Sequence, residues 1–297
     1  MRFSIQAASL AILSLLPVAL SQQVCNGNAA LCSRSYSNVS FVGTHDSAFN
    51  GNGPADNQDV GVATQLNAGI RFLQAQVHDW FGTLTMCHTN CLILDKGSLA
   101  AYLAPIKTFL DNNPNEVVTL LLVNGDNSPV SMFASVFEST GLQQYAYIPP
   151  ANPLPIGQWP TLAQMIAKGT RLVAMLDSGA NAATVPFLLD EFTYYFETEF
   201  DVTDTSLFQK CDINRPAGAT YTGRMGIVNH FRDVDIFGVA IPDRLQAGQT
   251  NAISGTNSIG QQASACVQAY GRWPNCVLVD WYDMGDVFGA QRMMNGL

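Results

Sequence analysis

Histidines are the side chains of this sequence best suited to moving protons near neutral pH. Three of the four lie at or just past the ends of short apolar runs that read as strands. His45 follows the run 39–42, His78 follows 70–77 and His88 follows 84–86. Because the carboxyl ends of parallel strands meet at one rim of a barrel, we expect these histidines on one face. Two histidines there, His45 and His88, could act as general base and general acid.

Two carboxylates are predicted to assist this pair. Asp46 directly follows His45 and could orient a histidine and stabilise its charged form. Asp280 ends the last predicted strand, which lies beside the first strand when a barrel closes, so it could serve His45 in the same way. A loop-capping role for Asp280 is equally open.

A second polar set is predicted to bind the substrate. Gln74, Gln76 and His78 alternate along the second strand and therefore share one of its faces. The glutamines could donate hydrogen bonds and His78 could bring a positive charge. His230, which follows a late apolar run, is a further candidate. The alternative is a polar network that is satisfied within the barrel.

Alternating strand and helix patterns predict the scaffold for these residues. The continuous β-branched and leucine-rich run 116–123 is typical of a strand covered on both faces, as in a parallel sheet. Thr161 and Gly169 bound a predicted helix over 162–168. Further helices are expected over 185–192 and near 239–247. The pattern indicates an α/β fold, an irregular (β/α)8 TIM-type barrel that forms a single domain over residues 22–297.

The first residues predict the compartment. A basic residue, Arg2, precedes an apolar segment over 5–16, and Ala19-Leu20-Ser21 resembles a cleavage site, so residues 1–21 are interpreted as a signal peptide. A membrane anchor is the alternative reading. We expect a secreted protein with a glycosylation sequon at Asn38-Val39-Ser40.

The composition is consistent with a secreted protein and argues against one class of partner. Charged residues make up 12% of the chain, against roughly 25% in an average soluble domain, and the net charge is −9. No basic cluster is present, which argues against nucleic acid as a partner.

Seven cysteines in a secreted chain predict disulfides. Sequence proximity favours three pairs and leaves Cys211 over. The predicted pairs are Cys25 with Cys32, Cys87 with Cys91, and Cys266 with Cys276.

Four motifs in order resemble a known family. They are NVSFVGTHDSA from Asn38, AGIRFL from Ala68, LTMCH ending at His88, and NPNEVVTL from Asn113. They resemble the X domain of phosphatidylinositol-specific phospholipases C, and the pattern around the second and third motifs is similar to the secreted fungal phospholipase-C-like phosphodiesterases. The resemblance covers about 38–126, with a weaker match at 277–280.

The resemblance implies a two-step mechanism without a cofactor. His45 would deprotonate the inositol 2-hydroxyl, which attacks phosphorus to give a cyclic phosphodiester, and His88 would protonate the leaving alkoxide. Asp46 would orient one histidine and Asp280 the other.

The sequence departs from the family at Gln74 and Gln76. Family members carry Asp-x-Arg there, which neutralises the phosphate, or Glu-x-Asp, which holds calcium. Glutamines bring no charge, so a family-type metal site is not expected, and electrostatic stabilisation is weakened. Two alternatives therefore stay open. One is a binding protein for a phosphate or sugar, and the other is a metal-dependent phosphodiesterase that uses Asp46, Asp126 or Asp177.

The expected partner is a small phosphodiester or a lipid head group. Phosphoinositides, glycosylated inositol lipids and soluble glycerophosphodiesters all fit. Phe49, Trp80 and Phe81 follow the histidines on the predicted active face, where exposed aromatic rings could make transient contact with a membrane surface. We expect a monomer.

Overall fold

The computed structural model describes residue 1, residues 23–237 and residues 239–297. The predicted signal peptide, apart from its first residue, lies outside the described residues. No helix in the described part of the chain is both long and apolar enough to cross a membrane.

Eight parallel strands build an open barrel. The strands of the described residues are β1 (Phe41–Thr44), β2 (Phe72–Trp80), β3 (Thr83–His88), β4 (Leu94–Ser98), β5 (Val118–Asn124), β6 (Leu172–Leu176), β7 (Leu188–Asp190), β8 (Tyr195–Glu197), β9 (Met225–Asn229), β10 (Asp233–Ile236), β11 (Val239–Pro242) and β12 (Cys276–Val279). The parallel order is β7-β6-β5-β2-β1-β12-β9-β8. Within the described residues, β7 and β8 share no ladder, so the barrel is open between them. The predicted irregular α/β barrel in one domain is confirmed.

Helices cover the outside of the sheet. They are α1 (Val62–Ala68), α2 (Leu99–Asn112), α3 (Val130–Ser139), α4 (Leu162–Lys168), α5 (Glu191–Tyr194), α6 (Ala247–Thr250), α7 (Ile259–Tyr270) and α8 (Val287–Asn295). The predicted ends of α4 are confirmed. Thr161 and Gln164 form a reciprocal capping box at its start, and Gly169 ends it with φ of 73°.

The strands are buried on both faces. Phe72 on β2 and Leu121 on β5 belong to a core cluster inside the barrel, whereas their neighbours Leu73 and Leu120 belong to a cluster under the helices. Because successive side chains point to opposite faces of a strand, each strand contributes to both cores. This explains why the central strands are continuous apolar runs.

Three expectations about secondary structure are wrong. The third motif does not form a barrel strand, because β3 pairs antiparallel with β2 and β4 pairs antiparallel with β3. The region 185–192 forms β7 and the one-turn α5, and 239–247 begins with β11, which pairs with β10. Short apolar runs contain no information about the strand that they pair with, so periodicity alone cannot separate these cases.

Three disulfides are present. Cys25–Cys32 and Cys87–Cys91 confirm two predicted pairs. The predicted Cys266–Cys276 pair is wrong, since Cys266 bonds Cys211, and Cys276 is a buried free thiol. Cys276 on β12 belongs to the core inside the barrel, whereas Cys266 on α7 belongs to the core under the helices. The barrel wall therefore separates two cysteines that are close in sequence.

Candidate active site

His45 is fixed at the end of β1 by contacts with three other segments. Its Nδ1 lies 2.9 Å from Oδ1 of Asp280, which follows β12, the strand beside β1. Asn57 donates to both Asp280 oxygens at 3.2 Å. The Phe231 ring stacks on the imidazole with 3.5 Å between centroids and 4° between planes. Because Asp280 accepts from Nδ1, the Nε2 atom is left for chemistry.

His88 reaches the same place from the β3–β4 hairpin. Its Nδ1 donates to the carbonyl oxygen of Ala55 at 2.7 Å, and its ring stacks on Phe49 with centroids 5.0 Å apart. A carbonyl oxygen can only accept, so Nδ1 carries a proton. The Nε2 atom faces Oδ2 of Asp46 at 3.3 Å.

Asp46 joins the two histidines. It is fully buried with φ of 44°, and its Oδ2 lies 3.3 Å from His88 Nε2 and 3.5 Å from His45 Nε2. Gln76 donates to the same oxygen at 2.9 Å, and the backbone N–H of Asp46 donates to Gln74 at 2.7 Å. Its Oδ1 is buried without a hydrogen-bond partner among the described residues. One carboxylate thus holds both imidazoles close together.

The two glutamines support Asp46. Besides its bond to Asp46, Gln76 accepts from the backbone N–H of Thr89 at 2.9 Å, so both ends of its amide are engaged. Gln74 is buried and uses its carbonyl oxygen for the Asp46 backbone. The structure therefore places both predicted substrate-binding glutamines at the site, with hydrogen bonds inside the protein.

The other two histidines have different hydrogen-bond partners. His78 Nδ1 lies 3.2 Å from both carboxylate oxygens of Asp126. His230 is fully buried, with Nε2 2.9 Å from the carbonyl oxygen of Thr250 and Nδ1 in contact with Gln262, and burial lowers its pKa. The expectation that His230 approaches a substrate fails because its ring nitrogens are engaged in the core.

Three residues of the site were missed by sequence reasoning. Asn57, Phe231 and Asp233 come from loops or from the base of the β10–β11 hairpin, and no spacing in the sequence connects them to His45. The β9 strand end near Phe231 is the one signal that could have pointed to that region. Their positions depend on how the long loops pack.

Electrostatics at His45 are dominated by carboxylates. Burial alone would lower the pKa of its ring. The negative charges of Asp46, Asp280 and Asp233 outweigh the effect of burial and raise that pKa to about 9. Burial and the charge of Asp280 raise the pKa of Asp233 to about 7. At neutral pH the isolated site therefore holds His45 mainly as a cation.

The donor set does not fit the calcium that part of the fold family implies. Calcium takes six to eight oxygen ligands, usually including several carboxylates. Gln76 has both amide ends engaged and Gln74 has its oxygen engaged. No group of three or more histidine, cysteine or acidic side chains in the described part of the chain is arranged to hold a metal ion.

Comparisons with known proteins agree on one family. The family model described as PI-PLC X 1 matches residues 31–295. A protein of Arthroderma benhamiae named PI-PLC X domain-containing protein 1 is 48% identical over 92% of this chain and 90% of its own length. A second protein of that fungus, named an uncharacterized secreted protein, is 40% identical over 90% of this chain, which spans 62% of that protein's length.

Solved structures show the same fold. The phosphatidylinositol-specific phospholipase C from Listeria monocytogenes aligns with a TM-score of 0.58 at 14% identity, covering 90% of this chain and 95% of that one. A phosphatidylinositol-specific phospholipase C from Staphylococcus aureus aligns with a TM-score of 0.55 at 16% identity, over 89% and 94% of the two chains. At these identities the likeness concerns the fold alone. From the family model and the fungal relatives together, the chain belongs to the PI-PLC X domain family.

Proposed function

We propose that this protein is a secreted phosphodiesterase that cleaves a phospholipid-like or inositol-type phosphodiester by two-histidine acid–base catalysis. The observation that carries the proposal is the position of Asp46 Oδ2, 3.5 Å from His45 Nε2 and 3.3 Å from His88 Nε2. Family membership supports the reaction class. The site itself supports the assignment of the two proton-transfer roles.

The proposed reaction needs one hydroxyl next to the phosphodiester. His45 Nε2 takes the proton of that hydroxyl, and its oxygen attacks phosphorus. The bond from phosphorus to the leaving oxygen breaks, and His88 Nε2 gives that oxygen a proton. The products are a cyclic phosphodiester and a free alcohol. Asp280 stabilises the imidazolium that forms on His45.

The contacts of each ring support this division of roles. His88 donates from Nδ1 to the carbonyl oxygen of Ala55, so its Nε2, which lies 3.3 Å from Asp46 Oδ2, is the nitrogen that faces the site and can exchange a proton with the substrate. His45 has its Nδ1 on Asp280, so its Nε2 is the nitrogen that can accept a proton. To act as a base, His45 must first lose the ring proton that the neighbouring carboxylates stabilise.

A second candidate function is favoured by the absence of a cation. Among the described residues, no lysine or arginine pairs with Asp46 or Asp280, and Gln76 is engaged at both ends. Without a lysine or arginine beside the phosphate, the charge that develops on it is stabilised less. The second candidate is therefore a barrel that binds a phosphate or sugar without turning it over.

A lipid surface is the proposed partner of the active rim. Phe81 on the β2–β3 turn is 90% exposed and Phe237 on the β10–β11 turn is fully exposed, while Leu92 and Ile93 follow His88 on an exposed loop. Exposed large apolar side chains beside a site support a proposal of contact with an apolar partner. Of the aromatic residues predicted for this role, Phe49 is wrong, because it is buried against His88. A secreted monomer remains our proposal for localisation and assembly.

Phosphorus NMR tests the proposal directly. The purified protein is incubated with phosphatidylinositol and with glycerophosphoinositol, with and without EDTA. We expect a cyclic phosphodiester signal that persists in EDTA and disappears in His45→Ala and in His88→Ala. His78→Ala tests the third histidine of this region, which pairs with Asp126, and an undiminished signal would show that turnover does not need His78. Loss of the signal in EDTA would support the metal-dependent alternative, and no signal with either substrate would support the binding protein.

A further inference from the structure

A groove lies beside the start of β1, at the opposite end of that strand from His45. It measures about 380 Å³ and is bounded by the lead-in before β1, the loop before β12 and the end of α8. Its lining includes Arg34, Asn38, Trp273 and Asn295. Asn38 is exposed and begins the sequence Asn38-Val39-Ser40, which is an acceptor site for N-linked glycans.

We propose that Asn38 carries an N-linked glycan whose first sugars lie in this groove. The proposal rests on the secretion part of the proposed function and is independent of catalysis. In the attachment step, the Asn38 side-chain nitrogen forms a bond to C1 of a sugar on a polyprenyl-diphosphate donor. The bond from C1 to the diphosphate breaks, and the proton of the amide nitrogen passes to a base of the transferase.

The groove offers the contacts that a sugar uses. Trp273 is partly buried, so its ring is held in place while one part remains accessible. The guanidinium of Arg34 makes no hydrogen bond or ion pair to any other residue that the structure describes, so its donors are available to hydroxyl and acetamide oxygens. Both side chains line the same groove as the acceptor Asn38. A sugar on Asn38 therefore has an aromatic face and a polar donor within the groove that it would enter.

The folded protein engages the rest of the acceptor sequence. Ser40 is 6% exposed, and its hydroxyl donates to the carbonyl oxygen of Pro274 at 2.7 Å. Its backbone N–H donates to Asn295 Oδ1 at 3.1 Å, and its carbonyl accepts from Asn295 Nδ2 at 2.7 Å. A transferase that reads this serine cannot reach it once α8 has docked. The glycan is therefore attached before the last helix packs against β1.

The first test is chemical. The full chain is expressed in a eukaryotic secretory host, and Asn38 is examined by intact mass and peptide mapping, with Asn38→Gln as the reference. We expect one glycan, at Asn38, on the secreted protein. An unmodified Asn38 would overturn the proposal. Because mass does not depend on turnover, an inactive but glycosylated protein would count against the proposed catalysis only.

The second test measures docking in the groove. A peptide-N-glycosidase should release the glycan at least about tenfold more slowly from the native protein than from the denatured protein, because docked sugars must first leave the groove. Trp273→Ala and Arg34→Ala should each accelerate native release, whereas Trp80→Ala on the catalytic rim should leave it unchanged. Native release as fast as denatured release would contradict docking, whatever the variants do.

The order of events has its own test. Unglycosylated protein is offered to a purified transferase with its lipid-linked donor, once folded and once unfolded. We expect modification of the unfolded chain alone. Modification of the folded protein at the same rate would refute the order that the Ser40–Asn295 bonds imply.

Discussion

The side-chain amide of Gln76 donates a 2.9 Å hydrogen bond to the Asp46 oxygen that also faces His88. This chain therefore supports its central carboxylate with a neutral side chain, at a position where the resemblance to phosphatidylinositol-specific phospholipases C implies an arginine or a metal-binding carboxylate. Asp46 has a second oxygen that is buried and unpaired among the described residues. The site is consequently rich in carboxylates, and in the described part of the chain only histidines, not lysine or arginine, pair with Asp46 and Asp280.

Restoring the family cation should raise activity. In Gln76→Arg, the guanidinium can pair with the unpaired Asp46 oxygen and present its remaining donors to the phosphate. We expect kcat/KM on an inositol phosphodiester to rise by at least about tenfold. Gln76→Met is the control, because it removes the hydrogen bond without adding charge and should lower activity. An arginine variant no better than wild type would mean that the phosphate does not approach this strand.

Asp233 should set part of the pH dependence. Its negative charge stabilises protonated His45, so Asp233→Asn should lower the pKa of His45 and move the rising limb of kcat/KM to a pH below about 9. The increase in kcat/KM relative to wild type should appear mainly above pH 7, where Asp233 carries its charge, and should be about threefold at pH 8. Asp126→Asn, beside His78, is the control. Coinciding pH profiles for wild type and Asp233→Asn would exclude this role.

The long-range disulfide should dominate covalent stabilisation. Cys211–Cys266 closes a loop with a sequence separation of 55, whereas Cys25–Cys32 closes one of 7. In the chain-entropy model, replacing the first pair by serines should lower the free energy of unfolding by about 4 kcal/mol, against about 2 kcal/mol for the second. Chemical denaturation of both double variants measures this. Equal losses would show that loop length is not what determines the contribution of these bonds.

Exposed apolar side chains on the rim should control turnover at lipid surfaces. Phe81 and Phe237 are exposed at 90% and 102%, so replacing either by Asp removes little packing and should change stability by less than about 0.5 kcal/mol. Vesicle sedimentation and turnover of lipid substrate should fall by about tenfold or more, while turnover of a soluble phosphodiester stays the same. Ile148→Asp is the control, because Ile148 is also apolar, is 53% exposed and lies near the start of β6. If all three variants behave alike, the rim has no special contact with lipid.

Much of the scaffold could be predicted because it is local. The continuous apolar run 116–123 identified β5, and the cap residues Thr161 and Gly169 located α4. The expectation that Asp280 lies beside His45 came from barrel closure, and the two side chains are 2.9 Å apart. The roles of these residues in catalysis remain a proposal.

The structural features that could not be predicted from the sequence depend on long-range packing. The run before His88 was indistinguishable from a barrel strand because apolar content does not reveal strand direction. The Cys211–Cys266 bond connects a loop to α7 across 55 positions, beyond any argument from proximity. Asp233 and Phe231 reach His45 through a hairpin whose sequence had suggested a helix. Each of these features depends on contacts between segments that are distant in the sequence.

The Cys87–Cys91 disulfide makes the position of His88, the proposed general acid, dependent on the redox conditions around the protein. His88 stands inside this loop, while its partner His45 stands on the barrel wall. Reduction would release the backbone that presents His88 and leave the barrel strands intact. Under the proposed function, turnover would then depend on the oxidising conditions of the secretory route, in which this disulfide forms. Turnover measured before and after mild reduction, with far-ultraviolet circular dichroism to monitor the fold, would reveal this dependence.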